Sequence, residues 1–263
     1  MRTLVTGATG FVGQALIRRM VADGRFAVRA AVRRETATVP SGVECVVAGD
    51  LGGVNGDATW QAALSGVDAV VHLAARVHVM REPAADPLAE FRRVNVAASL
   101  KLARQAVAAG VRRFVYLSSV KVNGESGTYT EAHTPAPEDA YGISKHEAEV
   151  GLRQIADETG LEVVIIRPPL VYGPGVRANF RSLMRAVARG IPLPLGAIDN
   201  RRSLVASDNL ADFIVACLDH AAARNETFLV SDGEDLSTTD LVRAWHARWV
   251  ARRGCFRCLR RCS

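Results

Sequence analysis

Tyr141-Gly-Ile-Ser-Lys145 places a phenol and an ammonium four residues apart, on one face of a helix that begins near Ala140. A free phenol has a pKa of about 10 and is a poor base at neutral pH. A nearby cation favours the phenolate and brings the group toward the range that general acid–base catalysis requires. With four Tyr and three Lys in the chain, chance rarely produces this spacing. The bland alternative is an exposed helix pair. Ser118-Ser119 ends a run of apolar residues, where a hydroxyl can hold a reacting oxygen beside the tyrosine. On its own, a serine at a strand end is more often a turn or cap residue.

A second group of residues points to a dinucleotide. Gly7-Ala8-Thr9-Gly10-Phe11-Val12-Gly13 follows the first strand pattern and opens the first helix pattern. Glycines there let the backbone turn sharply and approach a pyrophosphate, whose charge the helix N-terminus stabilises. Asp50-Leu51 ends the third strand, where a carboxylate can accept the adenine amino group. Leu73-Ala74-Ala75 ends the fourth, where small residues let ribose and phosphates lie against backbone. Each alone is an ordinary strand end; together they mark the crevice at the carboxyl ends of an open α/β sheet. An acid about 20 residues past the glycines suits NAD, whereas Arg there suits the 2′-phosphate of NADP. The position reads Val32-Arg33-Arg34, so NADP(H) is the preferred expectation, with NAD(H) open and a solvated charge pair as the alternative.

These groups need a scaffold that brings strand ends together. Strand patterns at 4–6, 28–32, 45–47, 69–73, 114–118, 163–166 and 228–230 alternate with helix-length segments at 12–23, 88–110, 140–159, 178–190 and 208–223. Several strands are continuous apolar runs, as expected where both faces are covered. Such alternation predicts an α/β fold, a doubly wound parallel (Rossmann) sheet. Residues 1–168 are expected to form the dinucleotide-binding domain, with 203–230 returning to it. Residues 169–202 and 231–263 are expected to form a small C-terminal substrate-binding lobe.

Bulk composition, 49% hydrophobic and 23% charged, is that of a globular chain. No run approaches the ~20 apolar residues of a membrane span. The strand pattern opens at residue 2 with no signal-like segment ahead of it, so a cytoplasmic address is expected. The net charge of +6 belongs to one segment: residues 241–263 carry seven Arg and no acid, leaving 26 basic against 27 acidic side chains elsewhere. No nucleic-acid partner is therefore expected. Cys255, Cys258, Cys262 and His246 make a lopsided set beside the paired ligands of structural zinc, and no metal is expected. The excess of Arg, Cys and Trp in this segment suits a reading-frame shift better. Residues 245–263 are then expected to be out of frame, and the second lobe incomplete.

The succession Gly7-x-x-Gly10-x-x-Gly13, Asp50-Leu51, Leu73-Ala74-Ala75, Asn95-Val96, Ser118-Ser119, Tyr141…Lys145 and Arg167-Pro168…Tyr172-Gly173-Pro174 resembles the extended short-chain dehydrogenases, the NAD-dependent epimerase/dehydratase family, over about residues 1–240. The likeness is greatest to its UDP-glucose 4-epimerase-like branch, which includes O-antigen UDP-sugar 4-ketoreductases. The resemblance implies that Tyr141 is the acid/base, that Lys145 binds the nicotinamide ribose and tunes Tyr141, and that Ser119 positions the C4 oxygen. It places Asn95 and Pro168 at the cofactor, and Lys121, Asn179 and Arg202 at the substrate. The implied partner is a UDP-sugar, with no membrane insertion and a homodimer left open. Three motifs depart from the pattern: Lys121 precedes Val122-Asn123-Gly124 where relatives have Val-Tyr-Gly, Leu170 replaces an Asn, and Arg202-Ser203-Leu204 replaces Arg-Asp-Tyr/Phe. They bear on which sugar is bound.

Three functions stay open from these residues. The first choice is a 4-ketoreductase of a UDP-linked 4-keto-6-deoxy-N-acetylhexosamine, favoured by Arg33 without an acidic partner. The second is a UDP-glucose or UDP-N-acetylglucosamine 4-epimerase, favoured by the branch. The third is a non-catalytic dinucleotide sensor or truncated pseudoenzyme.

Overall fold

The structure, a computed structural model, describes residues 1–247 apart from 36, 38, 51–56, 78–85, 177, 192, 194–197 and 199. The chain forms two compact units, Met1–Pro169 with Ser207–Val230, and Leu170–Ala206 with Ser231–Ser263.

The first unit is built on a seven-stranded sheet in the order β3-β2-β1-β4-β5-β6-β9. Its strands are β1 (Arg2–Thr6), β2 (Ala27–Val32), β3 (Glu44–Val47), β4 (Ala69–His72), β5 (Arg113–Leu117), β6 (Glu162–Arg167) and β9 (Thr227–Leu229). Every pairing is parallel. The order reverses at β1 and β4, the switch point where open α/β sheets bind ligands. On one face Leu4, Val70, Phe114, Tyr116 and Ile165 pack in a single core with Leu102, Ala103, Leu152 and Ile155. Those last four lie on α4 (Ala98–Ala108) and α5 (Ala140–Thr159). On the other face α1 (Phe11–Asp23) packs along α7 (Ser207–Asp219). The central strands are apolar without alternation because both their faces are covered. This is the doubly wound parallel sheet that the alternation predicts.

Two elements of the first unit differ from the sequence expectation, as do the strands at Leu170–Tyr172, Arg202–Ala206 and Asp235–Leu236, which it did not include. The helix expected over 88–110 is three pieces: α3 (Pro87–Phe91), a π-helical turn at Arg92–Ala97, and α4. A π turn holds one extra residue and commonly marks a functional position; here it carries Asn95, buried at 1% exposure. A short helix, α2 (Asp57–Leu64), was not expected; its Trp60, Ala63 and Leu64 reach the core.

The second unit has a three-stranded sheet, β10 (Asp235–Leu236), β8 (Arg202–Ala206) and β7 (Leu170–Tyr172), in that order. It also has α6 (Ala178–Ala188) and a helix over 238–247. Asp232 ties this unit together, accepting from Tyr172 Oη at 2.7 Å and from the Ala206 amide. Trp245 packs edge-on to the buried Phe180, ring centroids 4.9 Å apart. Residues 248–263, with Trp249, Cys255, Phe256, Cys258 and Cys262, lie outside the described residues.

Candidate active site

The glycine turn joins β1 to α1 and lies against the end of β4. Gly7 has φ +67°, a left-handed conformation that favours glycine, and a Cβ there would meet the Ala74 amide nitrogen at 2.8 Å. A Cβ on Gly13 would meet the Gly7 carbonyl oxygen at 2.2 Å. Gly10 caps α1 without a side-chain hydrogen bond, leaving the amides of the first turn to another acceptor. Only backbone fills this turn, as an approaching pyrophosphate requires. Phe11 and Val12 begin α1, half-buried, and Leu73, Ala74 and Ala75 are half-buried in the segment after β4. Arg33 stands exposed just past β2, and Asp50 is exposed past β3. Leu51 lies outside the described residues.

Asn95 is engaged by hydrogen bonds within the protein. Its Oδ1 accepts from the Arg76 amide at 2.8 Å, and its Nδ2 donates to the Arg76 carbonyl and to Ser144 Oγ, both at 3.0 Å. It thus ties the segment carrying Leu73–Ala75 to the helix residue beside Lys145.

Ser118 and Ser119 follow β5, and the parallel ladder continues through them. The Ser118 amide donates to the Ile166 carbonyl at 2.7 Å, and the Val120 amide to that of Pro168 at 3.0 Å. Pro168 is therefore a backbone anchor for the serine turn. Asp139 caps α5, its carboxylate accepting from the Gly142 amide at 2.6 Å. A Cβ on Gly142 would meet the Lys121 carbonyl at 2.8 Å, so glycine at this place lets the helix start close against the serine turn. Tyr141 and Ser119 meet across that contact: the Ser119 hydroxyl hydrogen-bonds the phenol and favours its ionised form.

Burial outweighs that bond. It pushes the Tyr141 phenol up to about 12, with the Asp139 charge adding to the rise. Lys145, 2% exposed, is pushed down to about 7 by burial, with Glu149 working against the fall. Burial and the Asp139 charge lead the shift of the phenol, ahead of any effect of the ammonium. Lys145 Nζ donates to the Leu117 carbonyl at 2.8 Å and to Tyr116 Oη at 3.2 Å. It lies 6.0 Å from the centre of the Tyr141 ring. A fixed carbonyl at the strand end is the nearer acceptor, so the amine turns to it.

Lys121 is half-buried and engaged by two carboxylates, Asp139 at 2.5 Å and Glu125 at 2.8 Å. In the second unit, Arg202 is exposed at the start of β8. Asn179 is in the first turn of α6, its side chain outside the described residues.

Sequence reasoning missed the groups beneath these. Arg167 and Glu149 form a buried two-point ion pair, with contacts at 2.5 and 2.9 Å and side chains 4% and 2% exposed. Ser118 Oγ donates to the same carboxylate at 2.5 Å, and Arg167 donates to Asn123 Oδ1 at 3.1 Å. The signal was Glu149 itself, four residues past Lys145 on the same helix face. His72 was likewise the polar member of an otherwise apolar strand, and Tyr116 the one hydroxyl within the apolar run 114–117.

Comparison with known proteins adds to this geometry. The family model described as NAD dependent epimerase/dehydratase family matches residues 3–231. A Vibrio cholerae protein described as UDP-glucose 4-epimerase is 48% identical over 246 residues, covering 91% of this chain and 73% of the relative. An Escherichia coli O157:H7 relative, described as an N-acetyl-alpha-D-glucosaminyl-diphospho-ditrans,octacis-undecaprenol 4-epimerase, is 30% identical, covering 91% and 70%. Among solved structures, DesIV from Streptomyces venezuelae, a dTDP-glucose 4,6-dehydratase with NAD bound, superposes with a TM-score of 0.78 at 29% identity, covering 93% of this chain and 80% of its own.

Proposed function

The chain belongs to the NAD dependent epimerase/dehydratase family, and on that premise we propose that it is a UDP-sugar 4-epimerase using a nicotinamide dinucleotide. The observation that carries this reading is Ser119 on the Tyr141 phenol, with Lys145 buried behind them at the end of β5. The 48% identical relative, described as a UDP-glucose 4-epimerase, supports the choice of reaction.

The glycine turn fits a dinucleotide: its glycines let β1, α1 and the end of β4 close up on backbone alone, and α1 opens without a side-chain cap on its first-turn amides, as a pyrophosphate needs. Gly7, Gly10, Phe11, Val12 and Gly13 would hold the pyrophosphate, and Leu73–Ala75 the adjoining ribose. Asp50 and Leu51 would take the adenine. A bound nicotinamide would supply the acceptor and donor of the C4 hydride. Tyr141 takes the proton of the C4 hydroxyl as the phenolate and returns it as the phenol. Ser119 holds the C4 oxygen against that phenol. Lys145 would hold the nicotinamide ribose, and its charge would offset that of the phenolate. In the second unit, Asn179 and Arg202 are the residues that the resemblance makes candidates for a nucleotide diphosphate.

A 4-ketoreductase is the second reading, favoured by Arg33 at the end of β2, where a cation suits the 2′-phosphate of NADP. One assay separates them. The purified chain is offered UDP-glucose and UDP-N-acetylglucosamine without added cofactor, and in parallel a UDP-4-keto sugar with NADPH. Epimerised product in the first arm supports the proposal. NADPH oxidation in the second arm alone overturns it in favour of the reductase.

A further inference from the structure

Five polar side chains run through the first unit's core as one hydrogen-bonded file. Thr6, His72, Ser99, Tyr116 and Lys145 are each 2% exposed or less. Lys145 Nζ donates to Tyr116 Oη at 3.2 Å and stands 4.4 Å from the centre of the Tyr116 ring. Tyr116 hydrogen-bonds Ser99. Ser99 Oγ is 2.9 Å from His72 Nε2, and His72 Nδ1 is 2.7 Å from Thr6 Oγ1. Thr6 Oγ1 also accepts from the Ala74 amide at 3.2 Å. The file begins on the amine behind Tyr141 and ends at the residue before Gly7.

Unpaired buried polar groups are costly, so five in line must be satisfied by one another. The pattern of donors closes in one direction when Lys145 is cationic. Lys145 donates to Tyr116, whose own proton goes to Ser99, whose proton goes to His72 Nε2. The ring then carries its proton on Nδ1 and donates to Thr6; this tautomer follows from the network. His72 stays neutral in that place, because burial holds it at about 3.

We propose that Tyr116 is a positioning residue for Lys145, its phenol oxygen fixing and favouring the ammonium form, with Ser99 and His72 holding that oxygen as an acceptor. The inference rests on the reading of Lys145 as the partner of Tyr141. The charged and titratable groups that face Lys145 are Tyr116 on β5, His72 on β4, and Tyr141 and Glu149 on α5; Glu149 is in turn paired to Arg167 on β6. Among them Tyr116 is the one that accepts a side-chain hydrogen bond from the amine.

The chain has three lysines, Lys101, Lys121 and Lys145, so protein labelled with 13C at lysine Cε gives a readable NMR titration. The Lys145 signal is assigned with Lys145→Met. Tyr116→Phe keeps the ring and removes the oxygen. The Lys145 midpoint is expected to fall by about one pH unit, the scale of a lost hydrogen bond to a charged group. Ser99→Ala is expected to shift it the same way by less. If Tyr116→Phe does not fold, Ser99→Ala carries the test alone. A Lys145 midpoint unchanged in the folded variants overturns the proposal. The titration needs no turnover, so a chain inactive on UDP-sugars would overturn the epimerase reading while leaving this one to its own result.

Discussion

The ammonium of Lys121 lies 2.5 Å from the carboxylate of Asp139, the residue that caps the helix carrying Tyr141. The Asp139 charge raises the Tyr141 phenol, and Lys121 offsets that charge at its source. Lys121→Met should therefore move the acid limb of the kcat/KM profile to higher pH, with KM for the sugar nucleotide unchanged. Stability should change by less than about 1 kcal/mol, because the pair is partly exposed. A raised KM with an unmoved pH limb would put Lys121 on the substrate instead.

Tyr141→Phe removes the phenol while keeping the ring edge-on to Phe91. Cofactor affinity should be nearly unchanged and turnover should fall at least about a hundredfold, the scale of a lost general acid–base group. Single-turnover rates beside cofactor titration test this. Near-normal turnover would remove Tyr141 from the mechanism.

Arg33→Ala tests which dinucleotide is held. Charge-assisted hydrogen bonds contribute about 1.5–3 kcal/mol, so NADP affinity should fall at least about tenfold while NAD affinity barely changes. Equal losses measured by calorimetry would show that Arg33 is only a solvated surface charge.

Glu149→Gln keeps the shape of the buried pair and leaves the Arg167 charge without its counter-ion. Breaking a buried ion pair from one side costs about 3–5 kcal/mol. Urea denaturation should show a loss of that order, and Ser119 should lose alignment, since Ser118 hangs on the same carboxylate. A loss under about 1 kcal/mol would mean the pair is solvated rather than buried.

His72 should make the chain sensitive to acid. Burial holds the folded ring at about 3, while an unfolded histidine titrates near 6.5. The unfolded chain therefore binds a proton that the folded chain refuses, so stability is complete above pH 6.5 and declines as pH falls toward about 3. His72→Gln, which cannot take that proton, should show a smaller drop in urea midpoint between pH 7 and pH 4. An identical drop in both proteins would assign acid sensitivity to other groups.

Much of this protein is readable along the chain, because the deciding interactions are local. Gly7, Gly10 and Gly13 announce a turn only backbone can fill, and unbroken apolar runs such as Val163–Ile166 announce strands covered on both faces. Tyr141 and Lys145 share a helix face by their spacing alone. Even so, the helix expected over 88–110 hid its π turn, since the extra residue there is held by Asn95 reaching Arg76 and Ser144 through space.

The tertiary structure decided what each side chain meets. Tyr116 lies 29 residues before Lys145, Arg167 lies 18 after Glu149, and Lys121 lies 18 before Asp139. Packing of α5 against the sheet and the serine turn closes those gaps, and no spacing rule measures them. The same holds for proton affinity. The Tyr-x-x-x-Lys spacing suggests a phenol lowered by an ammonium; the folded core raises the phenol and lowers the amine instead. A side chain's type and spacing follow from the sequence, but its desolvation depends on what packs around it, and packing is made by residues far apart in the chain.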